Sequence, residues 1–207
     1  MSATTFPEST SADRPAVVPP DLIMRLSVQQ YHEMIDAGIL TTDDKVELLE
    51  GLLVCKMSKK PPHRLTTGLV REALTRIIPP GWYVDSQEPV TLETSEPEPD
   101  VMIVRGLRTD YADHHPGTAD VALVVEVSDS TLERDRRMKK RIYARAEIPV
   151  YWIINLIENQ IEVYTSPSGP AAEPDYRQRQ DYGLSERVPV ALQGSEVGHL
   201  SVRELLP

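Results

Sequence analysis

The chain has 207 residues, a formal net charge of −10 at pH 7 and a hydrophobic fraction of 40%. This length suits one domain with a real core, and the negative charge argues against a protein that binds polyanions through bulk charge. The single cysteine, Cys55, excludes an internal disulfide and a multi-cysteine zinc site. No apolar run approaches the roughly 18 residues that span a bilayer, and the Ser-, Thr- and Pro-rich N-terminus lacks the apolar segment of a secretory signal, so none is expected. We therefore expect a soluble, cytoplasmic protein with no membrane partner.

The beginning of the chain predicts a leader followed by a short helix. Residues 1–20 are rich in Ser, Thr and Pro and offer little to bury, so we expect them to be flexible. Residues 21–207 are expected to form one domain. Ser27 is predicted to cap its first helix, because Gln30 occupies the capping-box position and Gly38 supplies a stop.

A hairpin and a second helix are predicted next. Residues 46–49 and 52–55 are apolar and flank Glu50-Gly51, which is typical of a tight turn. A helix is expected to begin near His63 and to end at Pro79-Pro80-Gly81. Its predicted apolar stripe consists of Leu65, Leu69, Ala73, Leu74 and Ile77.

The rest of the chain predicts strands around one further helix. That helix is basic and is expected over residues 132–146, whereas residues 111–116 and 166–180 are expected to be loops. The predicted strands are residues 82–84, 90–92, 101–104, 121–127, 150–154, 160–164 and 188–192, with a last turn near 202–206. This order favours an α/β protein of the α+β type, with a mixed central sheet flanked by helices.

Glu126 interrupts an otherwise apolar run, Val121–Val127. A carboxylate in a buried strand is costly unless a cation, a metal ion or hydrogen-bond donors meet it. Alternation along the strand places Glu126 on one face with Asp120, Ala122, Val124 and Ser128. Asp100 heads another apolar strand and shares a face with Met102 and Val104. If these strands are neighbours, the two carboxylates converge at one edge of the sheet.

Two carboxylates at one sheet edge suggest a divalent metal site. Their oxygens, completed by water and a substrate phosphate, suit Mg²⁺ or Mn²⁺. The alternative is structural: Asp100 caps a loop and Glu126 pairs with an arginine of the core. Ion-pair networks also perturb buried acids, so the pattern of these two residues leaves both interpretations open.

The basic helix brings a candidate third member. Residues 134–145 carry a local charge of +6, and Asp135, Lys139 and Tyr143 recur at intervals of four on one face. An apolar stripe of Leu132, Met138, Ile142 and Ala146 adjoins that face, so Lys139 borders the buried side. There it could orient or help to deprotonate an attacking water. The alternative is an intrahelical ion pair with Asp135, worth about 0.3–0.5 kcal/mol.

These residues together resemble the Uma-two family, restriction-endonuclease-like proteins that are widespread in bacteria and belong to the PD-(D/E)XK nuclease superfamily. The similarity covers residues 26–206. It rests on Glu47-Leu-Leu-Glu-Gly51, His63, Pro99-Asp100, Val125-Glu126-Val127-Ser128, Asp135-x3-Lys139-x3-Tyr143-Ala144 and Ile148-Pro149-Val150-Tyr151-Trp152-Ile153.

The resemblance implies a restriction-endonuclease-like core in which Asp100 and Glu126 hold the metal ion. The superfamily's lysine normally follows the second acid by two residues, and here that position is Ser128. The family is thought to use a lysine relocated to the next helix, which matches Lys139. By the same resemblance, Glu47 is an additional acidic site residue, and His63 is a further candidate that supports the site or contacts phosphate.

We therefore expect a Mg²⁺-dependent endonuclease that hydrolyses phosphodiester bonds of nucleic acid, with DNA as the expected substrate. Arg136, Arg137 and Lys140 are expected to contact the nucleic-acid backbone. Cleavage of both strands of a duplex needs two sites, which is compatible with a homodimer. One alternative, favoured by the net charge, is a catalytically silent nuclease-fold binding or scaffold protein. Another is a hydrolase of small phosphate esters.

Overall fold

A six-stranded sheet forms the centre of the structure, a computed structural model that describes residues 18–207. Its strands follow one another in chain order, and every neighbouring pair is antiparallel except β5 and β6, which are parallel. The strands are β3 (Trp82–Asp85), β4 (Val101–Arg105), β5 (Val121–Ser128), β6 (Val150–Asn155), β7 (Gln160–Pro167) and β8 (Tyr176–Gly183). The prediction of a mixed sheet flanked by helices is confirmed.

Both faces of the sheet are covered, which explains why its central strands are nearly continuous apolar runs. All eight residues of β5 are buried. One face packs against helix α2 (Pro61–Ile77), the hairpin of β9 (Arg187–Leu192) and β10 (Ser195–Ser201), and the terminal helix α4 (Val202–Leu205). No helix within residues 18–207 is both long enough and apolar enough to cross a membrane.

The other face packs against the basic helix α3 (residues 132–145), which links β5 to the parallel strand β6. Leu49 of a separate two-stranded hairpin lies in the same apolar cluster. That hairpin is formed by β1 (Val46–Leu49) and β2 (Leu52–Cys55). Helix α1 (Val28–Asp36) precedes it, and its N-terminus carries the predicted capping box of Ser27 and Gln30. Glu50 and Gly51 both have positive φ, as the predicted tight turn requires.

Helix α3 is not a continuous α-helix, contrary to the prediction for residues 132–146. A π-helical segment, Asp135–Lys139, lies between the α-helical segments Leu132–Arg134 and Lys140–Arg145. The Tyr151 hydroxyl donates a hydrogen bond of 3.2 Å to the Asp135 carbonyl oxygen, at the start of this segment. The wider turn leaves Asp135 and Lys139 both buried, each 2% exposed.

The buried face of α2 differs from the predicted apolar stripe. The helix begins at Pro61, two residues before the predicted start, because proline is favoured in the first turn of a helix. Leu65 is 52% exposed, whereas Thr66, Val70 and Leu74 are buried. The buried face of α2 is therefore rotated by about one residue from the predicted stripe, and Thr66 and Thr67 are buried in place of Leu65.

Three predictions of strand positions need correction. Residues 90–92 do not form a strand, and Thr91 makes an isolated bridge to Gly117. The predicted loop 166–180 overlaps the first half of strand β8. This is an edge strand in which Tyr176 and Tyr182 are buried and the residues between them are exposed. Strand β10 was not predicted.

The prediction that Ala122 shares a face of β5 with Val124 and Glu126 is wrong. A bulge between β4 and β5 shifts the register, so Ala122 packs in the apolar cluster on the α2 side of the sheet, whereas Val124 packs on the other side.

The predicted leader falls mainly on residues 1–17, outside the described residues. Its last three residues are exposed, and Pro20 opens the short 3₁₀ turn Pro20–Leu22.

A buried ion-pair cluster fastens α3 to β7. Glu162 of β7 is fully buried, and Arg136 of the π-helical segment donates to both of its carboxylate oxygens, with Nε at 3.1 and 3.2 Å. Asn155 and Tyr164 donate to the same carboxylate. Burial by itself would raise the pKa of Glu162, but Arg136, Tyr164 and Asn155 together lower it below its usual range. Arg136 is therefore part of the fold's internal structure.

Replacing Arg136 by alanine is expected to lower the free energy of unfolding by about 3 kcal/mol, because it leaves the Glu162 carboxylate buried without its main counter-ion. Arg137→Ala is the matched control, since Arg137 is 83% exposed and pairs with Glu133 at the helix surface. Urea unfolding measures both. If Arg136→Ala lowers the free energy of unfolding no more than Arg137→Ala does, the ion pair between Arg136 and Glu162 has no structural role.

Candidate active site

Asp100 and Glu126 lie opposite each other on neighbouring strands. The antiparallel register pairs Val101 with Val125, which places the preceding Asp100 across from Glu126. Asp100 is 5% exposed and Glu126 is 6% exposed. The backbone N–H of Val127 donates a 2.9 Å hydrogen bond to Asp100 Oδ2. The structure therefore brings together the two carboxylates that sequence patterns assigned to one sheet edge.

Lys139 reaches this pair from α3 and also contacts Glu47 of β1. Its Nζ atom lies 2.8 Å from Glu47 Oε2 and 3.1 Å from Glu126 Oε1. Tyr143, one turn further along α3, donates a 2.7 Å hydrogen bond to the same Glu126 Oε1. Lys139 thus pairs with Glu47 and Glu126 rather than with Asp135. Both bonds to Glu126 use Oε1, so Oε2 is left for another partner.

His63 and Lys59 come to Asp100 from the other side. His63, in the first turn of α2, places Nε2 3.1 Å from Asp100 Oδ2, and Lys59 Nζ is 3.4 Å from Asp100 Oδ1. Burial opposes ionisation of Asp100, but the His63 ring, the Val127 N–H and Lys59 together outweigh it and lower its pKa. Asp100 is therefore ionised at neutral pH.

The pKa of Glu126 is shifted in the opposite direction to that of Asp100. Burial raises the pKa of Glu126, Lys139 lowers it and the neighbouring Asp100 raises it, and together these effects leave it at about 8. Burial also disfavours the charge on Lys139, but Glu126 and Glu47 outweigh burial and raise the Lys139 pKa above its usual range. The site thus holds a charged lysine beside a carboxyl group whose pKa burial keeps high, even with Lys139 as its partner.

A small cavity of about 70 Å³ opens over these residues. Its ionisable lining is mixed in sign, with acids at the sheet edge and cations from the β2–α2 loop and from α3. The acids are Glu47, Glu98, Asp100, Glu126, Asp129 and Asp135, and the basic residues are Lys56, Lys59, Lys60, His63, Arg134 and Lys139.

The donor set fits a divalent cation bound partly by water and substrate. Residues 18–207 contain no cluster of three or more His, Cys, Asp or Glu side chains arranged as a complete metal site. Mg²⁺ does not need one, since it commonly takes one or two carboxylates and keeps several water or phosphate ligands. Asp100 is ionised, and Glu126 keeps Oε2 available while Oε1 contacts Lys139 and Tyr143. These two carboxylates would hold such an ion.

Asp135 also belongs to the site, although the sequence suggested it only as a helix-face neighbour of Lys139. It lines the cavity and accepts hydrogen bonds from the hydroxyls of Ser128, at 2.7 Å, and Thr131, at 2.6 Å. Burial raises the pKa of Asp135, while Thr131 and Ser128 partly offset that rise. Ser128, two residues after Glu126, therefore fixes an acid of α3.

The three residues predicted to contact a nucleic-acid backbone lie elsewhere on α3. Arg136 is bound to Glu162, and Lys140 is 2.8 Å from Asp175 Oδ1. Arg137 is exposed and pairs with Glu133. Among described residues, the cationic side chains nearest the cavity from α3 are instead Arg134 and Lys139.

Comparison with protein families gives one match that covers most of the chain. The model of the Uma2 family, described as "putative restriction endonuclease", matches residues 28–202. The chain belongs to this family. The matched region contains Glu47, His63, Asp100, Glu126 and Lys139. The resemblance inferred from the motifs is thereby confirmed.

A solved structure shows the same fold. A putative nuclease belonging to DUF820 from Anabaena variabilis aligns with a TM-score of 0.63 at 13% sequence identity, covering 87% of this chain and 97% of the other. At that identity the likeness concerns the fold alone, and it supports the restriction-endonuclease-like architecture of this Uma2 protein. No curated protein sequence matches the chain.

Binding of Mn²⁺ is expected to strengthen as the pH rises toward about 8, by up to about tenfold per pH unit. The reason is that the proton on Glu126 competes with the ion below this pKa. Isothermal titration calorimetry in several buffers measures the affinity. Glu126→Gln should weaken binding and remove this pH dependence, whereas Glu133→Gln, a change at an exposed acid of the same helix, should alter neither. An affinity independent of pH across this range would contradict the assignment of Glu126 as a ligand.

Proposed function

We propose that this Uma2 protein is a metal-dependent nuclease that hydrolyses phosphodiester bonds of nucleic acid, with DNA as substrate. The observation that carries the proposal is the grouping of Asp100, Glu126 and Lys139 in one cavity, at 5%, 6% and 2% exposure. Membership of a family described as restriction endonucleases supports the reaction class. Phosphodiester hydrolysis needs charge neutralisation and positioning, and these residues supply both.

Asp100 and Glu126 are the proposed metal ligands, with Mg²⁺ or Mn²⁺ as the ion. When bound, the ion polarises the phosphate and lowers the pKa of a water ligand. The roles of the two acids differ before binding. Asp100 is ionised and held in place by His63 and the Val127 N–H, whereas Glu126 would hold the ion through Oε2 in its ionised form.

Lys139 is proposed to act as a charged hydrogen-bond donor. Its raised pKa keeps the ammonium group protonated at neutral pH, which excludes it as a general base in this arrangement. The group is held by Glu47 and Glu126 at the cavity wall. From there it can orient the attacking water and stabilise negative charge that develops on the phosphoryl oxygens. Glu47 then positions Lys139, and His63 positions Asp100.

A cytoplasmic location and a homodimer able to cut both strands of a duplex complete the proposal. Arg137 remains a candidate contact for the backbone, because it is exposed on α3; Arg136 and Lys140 would first have to leave their acidic partners.

A catalytically silent binding protein is the second candidate, and one observation favours it. Lys139 already supplies a counter-charge to Glu47 and Glu126, so these side chains form a satisfied ion-pair cluster without any metal ion. Such a cluster could persist for stability alone. Cleavage assays separate the two functions.

Asp100→Asn, Glu126→Gln and Lys139→Met are each expected to lower cleavage of nucleic acid by at least about 10²-fold, because each removes a charge from the reacting centre. Plasmid, single-stranded DNA and RNA are incubated with Mg²⁺ or Mn²⁺, and the products are followed on gels. Glu133→Gln is the control and should cleave as the wild type does.

Two outcomes would count against the nuclease. Wild-type protein that cleaves none of the substrates with either ion would favour the silent binding protein. Activity unchanged in Lys139→Met, in a variant that circular dichroism shows to be folded, would remove Lys139 from the mechanism.

A further inference from the structure

Arg134 carries a hydrogen-bond donor that its surroundings do not satisfy. Its Nε atom is buried and has no hydrogen-bond partner within residues 18–207. The nearest carboxylate oxygen paired with it, Asp135 Oδ1, is 3.9 Å away, beyond hydrogen-bond distance. An unsatisfied buried donor costs about 1–3 kcal/mol, more when it is charged. Arg134 lines the cavity that contains Asp100, Glu126 and Lys139.

The rest of the guanidinium is fixed in place. Its Nη1 atom donates a 3.3 Å hydrogen bond to the carbonyl oxygen of Cys55, at the end of β2. The Arg134 side chain is 25% exposed, so it is partly accessible from solvent. One nitrogen of this guanidinium is therefore held by the backbone, while another has no hydrogen-bond partner. Such a group can bind an anion that offers more than one oxygen, such as a phosphate.

Lysines of the β2–α2 loop line the same cavity beside Arg134. Lys60 is 63% exposed and is only loosely paired, at 3.2 Å from Asp129, which is itself accessible to water. Lys59 is 36% exposed and lies 3.4 Å from Asp100. A phosphate group in the cavity could therefore meet Arg134 from one side and Lys60 from the other without breaking a buried ion pair.

The other cations of α3 are less suited to this task. Arg136 makes several hydrogen bonds to the fully buried Glu162, and Arg141 is paired with Glu50 through two nitrogens. Lys140 is paired with Asp175. Recruiting any of them would expose an internal acid or cost an existing ion pair, whereas Arg134 Nε has no bond to lose.

We propose that Arg134 and Lys60 form an anion subsite that binds a phosphate group of a nucleic-acid strand next to the reacting phosphodiester. The identification of the strand as nucleic acid rests on the proposed function. The binding itself does not require the metal ion, because neither residue is a proposed metal ligand. The subsite anchors the strand so that the adjacent phosphate lies over Asp100 and Glu126.

Metal-free binding tests the subsite apart from cleavage. Fluorescence anisotropy measures the affinity of a short fluorescein-labelled oligothymidylate in EDTA at several salt concentrations. Arg134→Ala is expected to weaken binding by about tenfold and to reduce the slope of log K against log salt by about one, as expected for a lost phosphate contact. Lys60→Ala should act in the same direction. Arg134→Lys should lose most of the affinity, because it keeps the charge but loses the planar fork.

Arg76→Ala is the matched control, an exposed arginine of α2 that pairs with Glu72 at the helix surface and does not line the cavity in the described part of the chain. Its affinity and salt slope should equal those of the wild type. Binding unchanged in Arg134→Ala, or equally weakened in Arg76→Ala, overturns the subsite. If Arg134→Ala does not fold, Arg134→Lys and Lys60→Ala decide by the same criteria.

Two further results keep this proposal distinct from the nuclease itself. Wild-type protein that does not bind the oligonucleotide in EDTA overturns the subsite, whatever the cleavage assays show. Inorganic phosphate is the second probe, used as a competitor of the labelled oligonucleotide. If it competes as strongly as unlabelled oligothymidylate at the same concentration of phosphate groups, the assignment of the subsite to a nucleic-acid strand is overturned. Retained Arg134-dependent binding in a protein that never cleaves supports the subsite and rejects the nuclease.

Discussion

The buried ammonium group of Lys139 is the interaction on which the arrangement of this site depends. It lies between Glu47 of β1 and Glu126 of β5, and its own position is set by the π-helical segment of α3. Three separate elements are thereby joined around one charge. Removing the lysine would leave two carboxylates buried without their counter-ion, which proteins tolerate poorly. In the proposed mechanism, the charge that holds these elements together also stabilises negative charge on the phosphoryl oxygens.

The π-helical segment distributes three neighbouring side chains between two buried clusters. Asp135 and Lys139 face the cavity, while Arg136 is bound to Glu162 of β7. Tyr151 holds the Asp135 carbonyl from the sheet below. One cluster anchors the helix, and the other presents the Asp135 carboxyl group and the Lys139 ammonium group to the candidate active site.

The sequence predicts the centre of the site better than its surroundings. Glu126 stands out because a charged residue in a continuous apolar run is costly, and Asp100 follows if its strand is the neighbour. The partner of Lys139 was not derivable from spacing, since Glu47 lies 92 residues away in sequence; only the family resemblance pointed to it. The role of Ser128 in holding Asp135 was not predicted, because it depends on how the helix docks on the sheet.

Features of the fold were missed for similar physical reasons. Hydrophobic periodicity cannot show one extra residue in a helical turn, so the π-helical segment was predicted as α-helix. Strand β8 was predicted as a loop because an edge strand needs few apolar residues, and here only Tyr176 and Tyr182 are buried. The central strands were predicted well because burial on both faces demands apolar runs.

The central claim is that Asp100 and Glu126 form one site for a divalent cation. An anomalous difference map from a crystal soaked in Mn²⁺ tests it directly. A peak is expected within coordination distance of a carboxylate oxygen of Asp100 and of Glu126 Oε2, about 2.0–2.2 Å from each, with Lys139 still beside Glu47. A map with no peak between these two carboxylates, or with a peak at other acids alone, would rule out this metal site.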